Sequence, residues 1–99
     1  MTARKPRDPA WIPVAYSLDA VAAIKALAQG KATAEQQAIA VKWIIETAAG
    51  TYDLSFRSNA DGGDRETAFA EGKRSVGMQI VKIINMAPAL VAAMREKNG

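Results

Sequence analysis

The side chains that could do chemistry in this chain are carboxylates, lysines, arginines and hydroxyls, because its 99 residues include no cysteine and no histidine. Their absence removes disulfides, thiolate nucleophiles, imidazole acid–base catalysis and most zinc sites. Any catalytic site would have to work with acids, amines and oxygen-ligated metals alone. We therefore expect a protein that is not an enzyme and that uses no cofactor and no metal.

One acidic segment, NADGGD at residues 59–64, invites comparison with a calcium-binding loop. With Asn59 and Asp61 aligned to the third and fifth positions of such a loop, an arginine falls first and an alanine last, where acids are required. The match fails at the two positions that matter most. The sequence instead favours a mobile turn followed by a helix that Asp64 caps.

A second charged group, Glu71 with Lys73 and Arg74, could be a catalytic or phosphate-binding cluster. On a helix, however, Lys73 borders the apolar side, whereas Glu71 and Arg74 lie three residues apart and can pair with each other. This favours a solvated helix face. Ion pairing of Glu71 or Arg74 at a buried site or an interface remains an alternative.

Two glycines lie inside the same helical pattern, although each costs roughly 1 kcal/mol relative to alanine. Apolar residues recur around them at helical spacing and predict a buried face: Phe69, Val76, Ile80, Ile83 and Ala87. Phosphate-binding glycines lie between a strand and a helix, so close packing against another helix, of this chain or of a partner, explains the pair better. The predicted helix-packing and interface residues are Phe69, Glu71, Gly72, Arg74, Val76, Gly77 and Ile80.

The net charge of +3 is concentrated at the N-terminus. Residues 1–16 contain three of the four prolines, which favour an extended arm over a helix, and two of the net positive charges. Arg4, Lys5 and Arg7 could each neutralise a phosphate and give salt-dependent, sequence-independent binding to nucleic acid. A solubilising tail is the alternative. Further along the arm, Trp11, Ile12, Val14 and Tyr16 are expected to hold it against the body.

The elements that would position these residues are helices. Ser17 is a suitable N-cap for a first helix from Leu18, and Gly30 suits its C-terminal end. Its expected buried stripe consists of Val21, Ile24, Leu27 and Ala28. A capping box of Thr33 and Gln36 begins a second helix, which runs to Ala49, is closed by Gly50 and is apolar on two sides. That helix is either central or part of an interface.

After the second helix, Tyr52, Leu54 and Phe56 alternate with polar residues, which predicts an ordered loop whose apolar side chains fill the core. The long third helix follows, with Glu66 in its first turn, and Pro88 begins a fourth helix with an apolar face of Leu90, Val91 and Met94. The predicted fold is all-α: a small bundle of three to four helices with an extended N-terminal arm (1–16), one aromatic-rich loop and a single helical domain (17–99).

The segment FAEGKRSVGMQI resembles a family of small proteins of tailed bacteriophages, the Bordetella-phage Bbp-nineteen-like domain. The resemblance rests on the spaced pattern FxEGxRxxGxxI with three residues that precede it, and covers roughly residues 40–86. Those residues are Thr47, Gly50 and Phe56, and the pattern supplies Phe69, Glu71, Gly72, Arg74, Gly77 and Ile80. The resemblance implies a phage protein encoded among head and packaging genes, with a virion or assembly role and no known reaction.

Three functional hypotheses remain open. The first is a non-enzymatic phage accessory protein that contacts other phage proteins or itself in the virion or during assembly. The second is a DNA-associated packaging or regulatory factor that uses the basic arm, and the third is an inhibitor that docks on a host enzyme. No apolar run approaches the roughly 18 residues of a membrane span, and no signal peptide is recognisable. We therefore expect no membrane partner and a location in the host cytoplasm or the virion.

Overall fold

A computed structural model describes residues 8–98 of the protein and shows an all-helical fold, as predicted. Its elements are α1 (Leu18–Ala28), α2 (Ala34–Lys42), a π-helical segment (Trp43–Ala48), a 3-10 turn (Asn59–Asp61), α3 (Gly63–Ile84) and α4 (Pro88–Asn98). Within the described residues there is no strand. The basic residues Arg4, Lys5 and Arg7 of the predicted arm lie outside this range.

The ends of α1 have the predicted caps. The Ser17 hydroxyl accepts a hydrogen bond from the Ala20 N–H at 3.1 Å. At the other end Gly30 has φ +71°, and the Lys31 N–H donates to the Ala26 carbonyl at 2.9 Å. This is the Schellman arrangement, in which a left-handed residue turns the chain back over the last carbonyls.

The second helix begins as predicted but does not continue as a regular α-helix. Thr33 and Gln36 form the reciprocal capping box, at 3.1 and 3.0 Å. From Trp43 the backbone widens into the π-helical segment, and the Ala49 N–H donates to the Ile44 carbonyl at 2.9 Å. Such a widening shifts the side chains that follow around the helix axis relative to an α-helix.

Helices α1 and α2 pack through alanines. Ala20, Ala23 and Ala40 are each at most 4 % exposed. The expected buried stripe of α1 is therefore wrong in part, because Val21 and Ile24 are only half-buried and Leu27 is 40 % exposed. Small side chains let the two helix axes approach closely and leave the larger ones at the rim of the contact.

The start of α3 also differs from the prediction. Gly62 precedes it with φ +102°, the helix begins at Gly63, and Asp64 lies in the first turn without acting as the cap. Because Gly62 and Gly63 both adopt left-handed conformations, the chain turns into the helix before Asp64 is reached. The fourth helix begins at Pro88 as predicted, and its axis is bent by 91° from that of α3.

The aromatic loop does not fill the core. Tyr52, Leu54 and Phe56 are 71, 69 and 61 % exposed, so this expectation is wrong. The buried residue of the loop is Thr51, which together with Ala49 occupies the space against α3. The contact there is too close to admit an aromatic ring.

Most of the residues that were expected to hold the arm against the helical domain are exposed to solvent. Trp11, Ile12 and Tyr16 are exposed, whereas the small Ala10 is buried. The segment before α1 is joined to the π-helical segment by a hydrogen bond, which the Trp43 indole N–H donates to the Ala15 carbonyl at 3.2 Å.

The fold is open rather than compact. Its Cα radius of gyration is 17.5 Å, against about 13 Å for a compact domain of 100 residues. No large side chain among residues 8–98 is fully buried.

In the same range no single helix is long and apolar enough to cross a membrane. The bent α3–α4 pair has the length and apolar composition of a membrane span only when both helices are counted together.

Candidate protein interaction surface

One side of α3 is packed tightly within the chain, at Gly77. A Cβ atom at this position would overlap the Thr51 hydroxyl and lie 3.0 Å from the Ala49 Cβ. The Thr51 hydroxyl in turn donates to the Ile45 carbonyl at 2.6 Å, and Thr51 is only 3 % exposed. The missing side chain of Gly77 therefore lets α3 lie against the end of the π-helical segment.

The same side of α3 holds the segment that precedes α1. The Ala10 N–H donates to a Glu66 carboxylate oxygen at 2.6 Å, and the Lys73 ammonium donates to the Ala10 carbonyl at 3.0 Å. Glu66 and Lys73 lie seven residues apart, two turns along one side of the helix. The N–H and the carbonyl of the buried Ala10 thus both have hydrogen-bond partners on α3, as buried polar groups require.

A third contact between the loop and α3 is made by Arg74, which also forms an ion pair with Glu71 on the same helix. Arg74 donates to both carboxylate oxygens of Glu71, with the Nη2–Oε1 and Nε–Oε2 distances each 3.1 Å. Arg74 also donates to the Thr51 carbonyl at 3.4 Å. The hydrogen bonds from Arg74, and after them one from Ser55, hold the pKa of Glu71 below its ordinary value. The predicted pairing of Glu71 with Arg74 is therefore present, and it faces the loop.

We expect Arg74→Gln to raise the pKa of Glu71 back toward its ordinary value. In the folded protein the lowered pKa favours the carboxylate form of Glu71. The ionised side chain therefore contributes to the stability of the fold at pH values above the ordinary glutamate pKa, and this contribution is lost as the pH falls through the lowered pKa. An NMR titration of the Glu71 side-chain carboxyl measures this. Ser55→Ala is the matched control and should give a smaller rise. An unchanged pKa in Arg74→Gln would contradict the assigned cause.

The remaining side of α3 is mostly exposed within the described chain, although Ile80 on it is half-buried. Phe69, Val76 and Ile83 are 48, 55 and 65 % exposed, and a Cβ atom added at Gly72 would meet no atom within 4 Å. We call Phe69, Gly72, Val76, Ile80 and Ile83 the open stripe. The prediction that these apolar residues form a buried face is wrong for Phe69, Val76 and Ile83 in the isolated chain, whereas Ile80 is half-buried. Helix α3 packs instead through the side that contains Gly77, about 100° around the helix from Val76.

The comparison with known families identifies the family of the chain. The family model described as Bbp19-like phage protein matches residues 46–96, slightly more than half of the chain. The chain belongs to the Bbp19-like phage protein family. The resemblance drawn from the glycine-containing segment is thereby confirmed, and the match extends beyond the expected region to include most of α4. No curated protein and no solved structure matches the chain significantly.

The part of the chain that matches the Bbp19-like family carries all seven predicted interface residues, but the structure divides them. Gly77 lies on the packed side, Glu71 and Arg74 lie beneath the loop, and the other four belong to the open stripe. Gly72 makes no helix crossing within the described chain, so its place in an interface stays a prediction.

Sequence reasoning missed the polar residues of the packed side. Thr51, Glu66 and Lys73 connect α3 to segments up to 63 positions away along the chain. Glu66 and Lys73 bracket the backbone of Ala10, and their seven-residue spacing was the available signal. Nothing in the sequence indicates that alanine as the residue they would hold.

The acidic loop shows no metal-binding arrangement in the part of the chain that the structure describes. The Ser58 hydroxyl donates to Asp61 at 3.3 Å within the 3-10 turn, and residues 8–98 contain no group of three acidic side chains suited to a metal ion. Nearby, Arg57 donates through Nη1 to the Asp8 carbonyl at 2.6 Å. The buried Nε of Arg57 meets no acceptor among the described residues.

Proposed function

We propose that this member of the Bbp19-like family is a non-enzymatic bacteriophage accessory protein that acts through protein–protein contacts in the virion or during its assembly. The observation that carries the proposal is the amount of apolar surface left exposed in the region that matches the family. Besides the open stripe, this region exposes Leu90, Val91 and Met94 of α4 at 37 to 51 %.

Isolated exposed apolar residues are ordinary, but contiguous apolar patches on soluble proteins usually mark interaction sites. Here exposed apolar residues follow one side of a 22-residue helix, and a second group lies on α4, which has no extensive contact with another helix in the described chain. A partner that covers this surface would supply the apolar burial that the chain lacks by itself.

The test is affinity capture of the full-length tagged chain from phage-producing cells, with the bound proteins identified by mass spectrometry. We expect phage structural or assembly proteins with the native chain, and their loss with Val91→Glu on α4. Lys97→Glu on the same helix is the matched control and should retain them. Recovery of one host enzyme in place of phage proteins would favour the inhibitor hypothesis and contradict ours.

The alternative of a DNA-associated factor is supported by the charge of Arg4, Lys5 and Arg7 in the sequence. It requires duplex binding that weakens steeply with salt, because bound counterions are released from the phosphates. Removing residues 2–8 should then abolish the binding. No DNA affinity in the intact chain, or the same affinity after this deletion, would reject the alternative.

A further inference from the structure

We propose that the open stripe of α3 pairs with the same stripe of a second copy of this chain, with the two helices antiparallel and closest near Gly72. The inference rests on the proposed function and names one partner for it. Three features support self-association: the surface area of the chain, the shape of the stripe and the distribution of charge along α3.

The exposed area exceeds that of a compact monomer by more than a stable interface requires. A folded monomer of 10.5 kDa exposes about 5,400 Å², whereas this chain exposes 7,803 Å². Assigning residues 1–7 the full surface of an unfolded peptide would account for about 1,200 Å² of the difference. About 1,200 Å² of the excess exposed area then remains, which is more than the roughly 800 Å² that a standard interface buries on each partner.

The shape of the stripe suits a symmetric pair of helices. Phe69, Val76 and Ile83 recur every seven residues, the spacing that keeps one seam facing a partner helix. Gly72 lies near the middle of α3 with nothing beside its Cα. In an antiparallel pair centred between Gly72 and Val76, each valine lies over the glycine of the partner, so a side chain fills the gap that the glycine leaves.

The charges at the two ends of α3 favour the antiparallel direction. Asp64 lies in the first turn and Lys82 in the last, and their separation of 18 residues is five full turns, so both lie in line, about 120° around the helix from Val76. Antiparallel pairing places the aspartate of each chain at the same level along the pair as the lysine of the other, and it opposes the two helix dipoles. A parallel pair would instead place like charges at the same level and align the dipoles.

Sedimentation of the full chain tests the pairing. We expect twice the mass of the 10.5 kDa chain, and half of that dimer mass for Gly72→Leu and for Val76→Glu, with the helical circular dichroism of both retained. The matched controls are Ala38→Leu and Ala38→Glu on the exposed side of α2, which should remain dimeric. A native chain that stays monomeric across the accessible concentrations, or a dimer that survives both stripe variants, would overturn the inference.

Cross-linking through introduced cysteines tests the direction, since the native chain has none. Ser75→Cys lies near the centre of α3 and should join two chains through a short bis-maleimide. Arg65→Cys should not, because antiparallel pairing separates its two copies by about 27 Å along the helices. Linkage at both positions, or at neither, contradicts the antiparallel pair. A monomer that still captures phage proteins would overturn this inference and leave the proposed function standing.

Discussion

Replacing Gly77 with alanine is expected to lower the free energy of unfolding by about 1–3 kcal/mol, the usual cost of forcing an extra group into a packed contact. The new Cβ would overlap the Thr51 hydroxyl, which is buried and bonded to the Ile45 carbonyl. Helix propensity acts in the other direction, since alanine is favoured over glycine by roughly 1 kcal/mol. Denaturant unfolding at low protein concentration, where the chains are monomeric, gives the value.

Gly72→Ala provides the matched control for this experiment. It lies five residues earlier on the same helix, where a Cβ meets no atom within 4 Å. In the monomer it should stabilise the fold by roughly 1 kcal/mol, the propensity difference alone. If the two alanine variants changed stability equally, the close contact at Gly77 would be refuted.

Replacing Glu66 with leucine is expected to release the segment before α1 from α3. The change leaves the buried Ala10 N–H without its acceptor, and a hydrogen bond to a charged group contributes about 1.5–3 kcal/mol. Amide exchange at Ala10 should therefore become roughly ten- to a hundredfold faster, if this segment opens independently of the rest. NMR-detected hydrogen exchange measures the rate directly.

Glu35→Leu is the control, because Glu35 also lies in the first turn of a helix but is exposed on α2. Exchange at Ala10 should not change in this variant. Unaltered exchange in Glu66→Leu would show that the segment is held by other contacts, and the Lys73 bond to the Ala10 carbonyl would be the first to examine.

The sequence predicted those parts of the fold that depend on local chemistry. The caps at Ser17 and Thr33, the glycine that ends α1 and the proline that begins α4 each act within a few residues of their position. Their hydrogen bonds and backbone preferences are therefore contained in a short stretch of sequence.

Which side chains are buried was predicted less well, because this depends on which faces of the helices pack against each other. Helical spacing identified the apolar stripe of α3 correctly, but the chain packs this helix through Gly77 instead, where small and polar partners fit. The π-helical segment was not predicted either. The Thr51 hydroxyl bonds to the Ile45 carbonyl of this segment, and Thr51 itself packs against Gly77 of α3, 26 positions further along the chain.

The different surroundings of Gly72 and Gly77 could not be predicted from the sequence either. Both interrupt one helical pattern, and their cost in helix propensity is similar. Gly77 lies in a contact within the chain, whereas Gly72 opens to solvent among exposed apolar residues. Only the three-dimensional arrangement distinguishes an internal contact from a surface that another chain could cover.

The exposure of the open stripe in a single chain, and its coverage by a second copy, are tested most directly by the rate of thiol labelling at Val76→Cys in the otherwise cysteine-free chain. We expect rapid labelling in dilute protein, because the open stripe is exposed, and strong protection once the chain is concentrated enough to form the dimer. Ala22→Cys on the exposed side of α1 should react rapidly under both conditions. Slow labelling of Val76→Cys in the dilute chain would show that the stripe is covered within the chain, and rapid labelling at every concentration would show that a second copy does not cover it; either result contradicts the pairing.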